Sequence, residues 1–178
     1  SLANIINKTE VKLLAHNSKF DGKFLLRKYG TRFYFHQDTM LMSHALNENR
    51  RHGLKVLAGE ILKAPNYDID RESMLGRGLD PAILINYGAL DIYYTYKLWL
   101  HFKAELDLQP RLRKFYRLVL MPTSNTFVAI ETRGIYINPE RLEEATKVLT
   151  REHAVLLATL EQTAKINWGS TQQVAKVL

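Results

Sequence analysis

Residues 11–30 read VKLLAHNSKFDGKFLLRKYG, in which an apolar run, a polar segment and a helical segment follow one another. The apolar run, Val11 to Ala15, predicts a short buried strand of a mixed sheet. Residues 22–29 have helical spacing and end at Gly30, where a left-handed cap costs little. Asn17 to Asp21 bring an amide, an aromatic ring and a carboxylate to the strand end, where catalytic groups of α/β proteins often lie. Asp21 taken alone is better explained as a helix N-cap.

The rest of the first half of the chain is predicted to be mainly helical. Residues 32–36 are aromatic-rich and predicted to be extended, and a helix capped by Asp38 runs over 39–46. A second helix covers residues 52–62. Residues 64–80 combine Pro, Gly, Asn and Asp without periodicity, which indicates a long surface loop. Pro81 then begins a long amphipathic helix that ends near Lys103.

The Gln109-Pro110 step interrupts this helical pattern, and we place a domain boundary there. The predicted domains are residues 1–108 and residues 109–178. A helix is predicted over 111–131, with a kink or a new start at Pro122. A turn with a short strand at 134–138, a helix over 139–165 and a last helical piece capped by Ser170 complete the prediction.

Composition limits the function classes that need to be considered. Hydrophobic residues make up 46% of the 178 residues and charged residues 24%, which is typical of a folded globular protein. The chain contains no cysteine, so disulfides, thiolate metal sites and cysteine nucleophiles are excluded, and we expect an intracellular protein. The net charge of +7 makes polyanions the first partner class to consider. A merely solvated basic surface explains that charge equally well.

Within the long helix, Asp91 follows Tyr87 by four residues, so both side chains lie on one helix face. A carboxylate beside an apolar stripe is costly to desolvate and should have a cation, a metal or strong hydrogen-bond donors nearby. A metal site would meet that need. The alternative is an aspartate at the edge of the stripe whose carboxylate reaches water.

Asn17-x-x-Phe20-Asp21 and Tyr87-x-x-x-Asp91 resemble the second and third motifs of DEDD-type proofreading exonucleases. Several further segments, in the same order, resemble bacterial polymerase I, and they cover nearly the whole chain. These segments are 38–41, 51–54, 57–58, 120–122, 131–138 and 167–178. The chain is therefore identified as similar to family A DNA polymerases, bacterial or phage, with a DEDDy-type 3′-5′ exonuclease.

The resemblance implies an α/β, ribonuclease H-like exonuclease fold lacking its first strands, followed by a mostly helical segment at the base of the polymerase thumb. It implies two-metal phosphodiester hydrolysis with Mg²⁺ or Mn²⁺. Asp21 and Asp91 would be metal ligands, Asp21 directly or through water, and Tyr87 would orient the attacking water. Asn17, Phe20 and Arg51 would contact the nucleic acid. His16 stands where many relatives have a glutamine.

The first motif of that family, an Asp-x-Glu pair, does not occur among the sixteen residues before Asn17. We therefore expect a fragment with an incomplete two-metal site and little activity of its own. The whole parent protein would use DNA as partner, at a single-stranded 3′ end and at a primer-template, and would use dNTPs. The expected location is the cytoplasm, in a bacterial nucleoid or a phage-infected cell.

Two rival functions fit parts of the same pattern. An RNase D-like 3′-5′ exonuclease shares the Tyr-x-x-x-Asp motif but explains only the front half of the chain. A catalytically silent nucleic-acid-binding domain would use basic residues such as Arg51 and the cluster at 111–117 without any chemistry. Asp21, Tyr87 and Asp91 argue against a decayed site.

Overall fold

The computed structural model describes residue 6, residues 10–67 and residues 81–177 of the chain. It divides into two compact units, Ser1–Gly134 and Ile135–Leu178. Within the described ranges the protein is mixed α/β, mostly helical with one short sheet. That agrees with the predicted class. Most of the predicted loop at 64–80 lies outside the described residues.

The sheet of the first unit consists of two parallel strands, β1 (Leu13–Ala15) and β2 (Phe35–Asp38), with Leu14 paired to Gln37. Helix α1 (Ser18–Tyr29) connects them, as a parallel pair requires. The helix ends as predicted at Gly30, whose φ of 63° is in the left-handed region that glycine adopts without strain. The strand end and the start of α1 are thereby brought together.

Three helices follow in the first unit: α2 (Thr39–Leu46), α3 (Leu54–Leu62) and α4 (Pro81–Asp107). Asp38 caps α2 as predicted, because its carboxylate accepts hydrogen bonds from the first-turn N–H groups of Met40 and Leu41. Both α2 and α3 pack against α4. The buried core of this unit consists of Phe33, Phe35, Met42, Leu57, Leu98, Phe102, Leu106, Tyr116 and Met121.

The segment after Gln109 is one interrupted helical rod, made of α5 (Pro110–Phe115), a π-helical turn (Tyr116–Leu120) and α6 (Met121–Arg133). Pro122 lacks an N–H group and leaves a carbonyl of the preceding turn without its usual donor, which accounts for the predicted irregularity at this position. α6 packs against α1 and β2 within the first unit. The first compact unit therefore extends to Gly134. The domain boundary between residues 108 and 109 stays a prediction.

The second unit contains α7 (Pro139–Glu161) and α8 (Thr171–Val174), which begin after the side-chain caps Asn138 and Ser170. The predicted strand at 134–138 is wrong: these residues have no strand conformation, and Ile135 is 92% exposed. A strand needs a hydrogen-bonded neighbour, which the local sequence does not specify. None of the helices in the described ranges combines the length and apolar character that a membrane crossing requires.

Candidate active site

A cavity of about 1340 Å³ in the first unit lies at the carboxyl end of β1. It is bounded by the start of α1, the start of α3 and the middle of α4. The predicted site residues that line it are Asn17, Asp21, Arg51, Tyr87 and Asp91. The fold therefore brings together side chains that are up to 74 positions apart in the sequence (91 − 17 = 74).

Asp38 holds the start of α1 in place by hydrogen bonds. Its side chain is buried, and its carboxylate accepts hydrogen bonds from the backbone N–H of Asn17 (3.1 Å) and of Ser18 (2.7 Å). The Ser18 hydroxyl donates to the same carboxylate at 2.7 Å. Because Asp38 also caps α2, one buried carboxylate satisfies the N–H groups at the beginning of two helices.

Asn17 has φ 63° and ψ 52°, the left-handed conformation, and its side chain makes no capping hydrogen bond. Asparagine tolerates this conformation better than most residues. The backbone turn at Asn17 places Asp21 in the first turn of α1, where the helix dipole favours a negative charge. Asp21 is therefore not the N-cap, and its carboxylate faces the cavity.

The carboxyl group of Asp21 has a pKa raised above its usual value. Partial burial is the main cause, and the nearby negative charge of Asp38 adds to it, whereas a hydrogen bond from the residue's own backbone opposes both. No cationic side chain of the described residues forms an ion pair with Asp21. Asp21 is thus a cavity carboxylate that a positive charge would stabilise.

Phe20 belongs to α1 but is not among the residues that line the cavity. It is 54% exposed, and its ring contacts that of Phe24, one turn further on, with 4.9 Å between centroids. An exposed pair of aromatic rings can stack on an unpaired base. The exposed Phe20 ring is therefore accessible to a base, and its contact with nucleic acid stays a prediction.

Asp91 is paired with residues from two other segments. Its Oδ1 atom accepts hydrogen bonds from the Lys55 ammonium group and from the Tyr67 hydroxyl, the latter at 3.1 Å. The Lys55 Nζ atom also lies 4.1 Å from the Tyr87 ring centroid and 4.3 Å from that of Tyr67. Tyr67 stacks on Tyr94 of α4 with centroids 5.0 Å apart. The carboxylate is thus held by a cation and a hydroxyl, as its apolar surroundings demand.

Arg51 is exposed at the entrance to α3 and lines the cavity, without an ion-pair partner among the described residues. Its neighbour His52 is fixed by a 3.0 Å hydrogen bond between its Nδ1 atom and the Ser43 hydroxyl. A guanidinium without an ion-pair partner can bind a phosphate without first breaking an ion pair.

The two carboxylates that line the cavity are the groups to test for fit to a divalent cation. Carboxylate oxygens are the ligands that Mg²⁺ and Mn²⁺ prefer, and the unpaired Asp21 would gain from such a charge. In the described ranges, no group of three His, Cys, Asp or Glu side chains could hold a metal ion. Asp21 is therefore available to a larger set of ligands, whereas Asp91 is already paired with Lys55 and would have to exchange that partner for a metal ion.

Sequence reasoning missed Lys55 and Tyr67, and it assigned Asp38 only a capping role. Lys55 precedes Asp91 by 36 positions and Tyr67 precedes it by 24, so no local pattern connects them. The available signal was the general need of a half-buried carboxylate for a partner, which does not say which side chain supplies it.

Comparison with known proteins gives a family for the first unit. Residues 1–107 match the family model of the 3′-5′ exonuclease domain of DNA polymerase A. The match includes both motifs that line the cavity.

Curated relatives match beyond that domain. DNA polymerase I of Chloroflexus aurantiacus is 30% identical, over 92% of this chain and 18% of its own length. The DNA polymerase of Escherichia phage T5 is also 30% identical, over 84% of this chain and 20% of its own length. DNA polymerase I of a Synechocystis strain is 26% identical, over 99% of this chain and 19% of its own. The chain therefore spans about a fifth of the length of the curated relatives it matches.

Proposed function

The chain belongs to the 3′-5′ exonuclease family of DNA polymerase A, and on that premise we propose that its cavity is part of a proofreading site for the 3′ end of single-stranded DNA. The observation that carries the proposal is that Asp21, Tyr87 and Asp91, from two helices far apart in the sequence, line one cavity. The gene product would also polymerise DNA from dNTPs on a primer-template. The bacterial and phage relatives favour action in the bacterial cytoplasm.

Each predicted site residue has a definite task in this proposal. Asp21 and Asp91 would hold divalent cations, together with further carboxylates such as an Asp-x-Glu pair. Bound cations would supply an activated water and neutralise charge on the phosphate. The Tyr87 hydroxyl would orient the water, the Asn17 amide and the Phe20 ring would position the terminal nucleotide, and Arg51 would bind a phosphate.

The finer fold assignment is part of the proposal. Two parallel strands joined by α1, with a long helix that carries a site carboxylate, support a ribonuclease H-like exonuclease fold. The matches to whole polymerases extend past residue 107, which supports residues 109–178 as the beginning of a polymerase domain. The same matches favour this reading over an RNase D-like enzyme.

The test is degradation of a 3′-labelled single-stranded DNA by the full gene product with Mg²⁺ or Mn²⁺. We expect Asp91→Ala to lower the rate by about a hundredfold or more, since even partners of metal ligands contribute about 10- to 100-fold. Asp107→Ala, at the exposed end of the same helix, is the matched control and should keep full activity.

Two results would contradict the proposal. If the folded protein degrades no DNA at ample metal concentration, the result favours the alternative of a catalytically silent nucleic-acid-binding domain. If a matched RNA is degraded faster than the DNA, the RNase D-like alternative gains support.

A further inference from the structure

The ammonium group of Lys55 already occupies the cation position at Asp91. It donates to Asp91 Oδ1 and lies between the rings of Tyr87 and Tyr67, at 4.1 and 4.3 Å from their centroids. A carboxylate and two electron-rich ring faces are a favourable environment for a positive charge. The side chain of Lys55 is 24% exposed and that of Asp91 is 31% exposed, so water screens the pair only in part.

The geometry leaves little room for a second positive charge at Asp91. Two donors, Lys55 Nζ and the Tyr67 hydroxyl, share the single atom Oδ1. A cation that binds Oδ1 has to replace the ammonium group. A cation that binds the other oxygen of the same carboxylate would lie within a few ångströms of the ammonium, where like charges repel strongly in a partly buried site.

We propose that Lys55 is a resident cation of the site, which keeps Asp91 paired until a divalent cation displaces it and thereby sets the metal affinity of the cavity. This inference rests on the proposed function, because it takes Asp91 as a metal ligand. Lys55 is a positioning residue: it acts through Asp91 and Tyr87. The pairing of Lys55 with Asp91 would stabilise the site when no metal is bound. Because a divalent ion has to displace Lys55, the pairing would also weaken metal binding.

The experiment is a Mn²⁺ titration of the full gene product without DNA, with free Mn²⁺ measured by electron paramagnetic resonance. Sites that disappear in Asp91→Asn are assigned to the cavity. We expect Lys55→Gln to raise the Mn²⁺ affinity of those sites by about tenfold, since it removes one competing charge. Lys55→Arg keeps a cation that can bind both carboxylate oxygens, and should leave the affinity equal to that of the wild type or lower.

Lys97→Gln is the matched control, because Lys97 lies over the Tyr93 ring at 5.5 Å and pairs with no carboxylate of the described residues. It should leave Mn²⁺ binding unchanged. An affinity of the Asp91-dependent sites that stays the same or falls in Lys55→Gln would overturn the inference and leave the proposed function standing. Mn²⁺ binding that is identical in Asp91→Asn and in the wild type would remove the metal site itself, and the inference with it.

Discussion

The two helices that bring carboxylates to the cavity are held by different means. The start of α1, which carries Asn17 and Asp21, is fixed by backbone N–H groups that donate to the buried Asp38. The middle of α4, which carries Asp91, is connected to its surroundings by the partly buried side chains of Lys55 and Tyr67. The first arrangement involves the main chain of two helices, and the second involves side chains alone.

This difference separates the geometry of the site from its charge state. Backbone hydrogen bonds to a buried carboxylate cannot be exchanged for a ligand without unfolding the start of α1. An ion pair of partly exposed side chains can be exchanged for another cation without unfolding a helix. Asp38 should therefore determine whether the site forms, and Lys55 should determine what occupies it.

Asp38→Asn should give the largest effect. The change removes the charge that accepts hydrogen bonds from Asn17, Ser18 and the first turn of α2, and it turns one acceptor oxygen into a donor that faces N–H groups. We expect the free energy of unfolding to fall by about 3 kcal/mol, measured by urea denaturation. Asp91→Asn is the comparison, with an expected loss below about 1 kcal/mol because its partners are partly exposed. Equal losses would remove the distinction between the two carboxylates.

Gly22→Ala tests the packing of α1 on α6, which keeps the Asp21 helix in position. An added Cβ would lie 3.0 Å from Val128 Cγ2 and 3.4 Å from Cγ1. Alanine favours the helix by about 1 kcal/mol, but the close contact opposes that gain. We expect the substitution to be more favourable by about 1 kcal/mol in a Val128→Ala background than in the wild type. Additive changes in unfolding free energy would show that the contact does not constrain α1.

Asn17→Ala should lower stability by about 1 kcal/mol, because alanine is disfavoured at a φ of 63°. Asn17→Gly should keep the stability of the wild type, since glycine adopts this conformation freely and the amide makes no capping bond. The glycine variant then isolates the amide for a binding measurement with a single-stranded oligonucleotide. A loss of stability in both variants would indicate that the amide itself supports the fold.

His16→Gln should give the smallest effect, measured as a change in the pH dependence of stability. Burial lowers the pKa of His16 below its usual 6.5, despite the opposing charges of Asp38 and Asp91. The unfolded chain therefore binds more protons than the native state, and the wild type loses stability as the pH falls through and below 6.5. His16→Gln should flatten the profile of unfolding free energy between pH 7 and pH 5. His153→Gln, at an exposed position of α7, should leave the slope unchanged, and an equal slope in all three proteins would contradict the assignment.

Local sequence predicted most of the elements because their signals are local. Gly30 ends α1, Asp38 caps α2, Pro139 begins α7, and Ser170 caps α8, all as predicted. Helix limits were less well predicted: α4 extends to Asp107, four residues beyond the expected end. The strand predicted at 134–138 failed because strand formation depends on a partner that residues close in sequence do not supply.

The sequence by itself determined the family, the helix caps at Gly30, Asp38 and Ser170, and the two motifs whose aspartates line one cavity. Each of these depends on residues within a few positions of one another. Only the tertiary structure decided that Asp38 anchors the start of α1 and that Lys55 and Tyr67 hold Asp91. A buried or half-buried carboxylate requires a hydrogen-bond donor or a cation. The residue type predicts this requirement but not which residue meets it. The partner is chosen by which distant segment the packed fold places within hydrogen-bond distance.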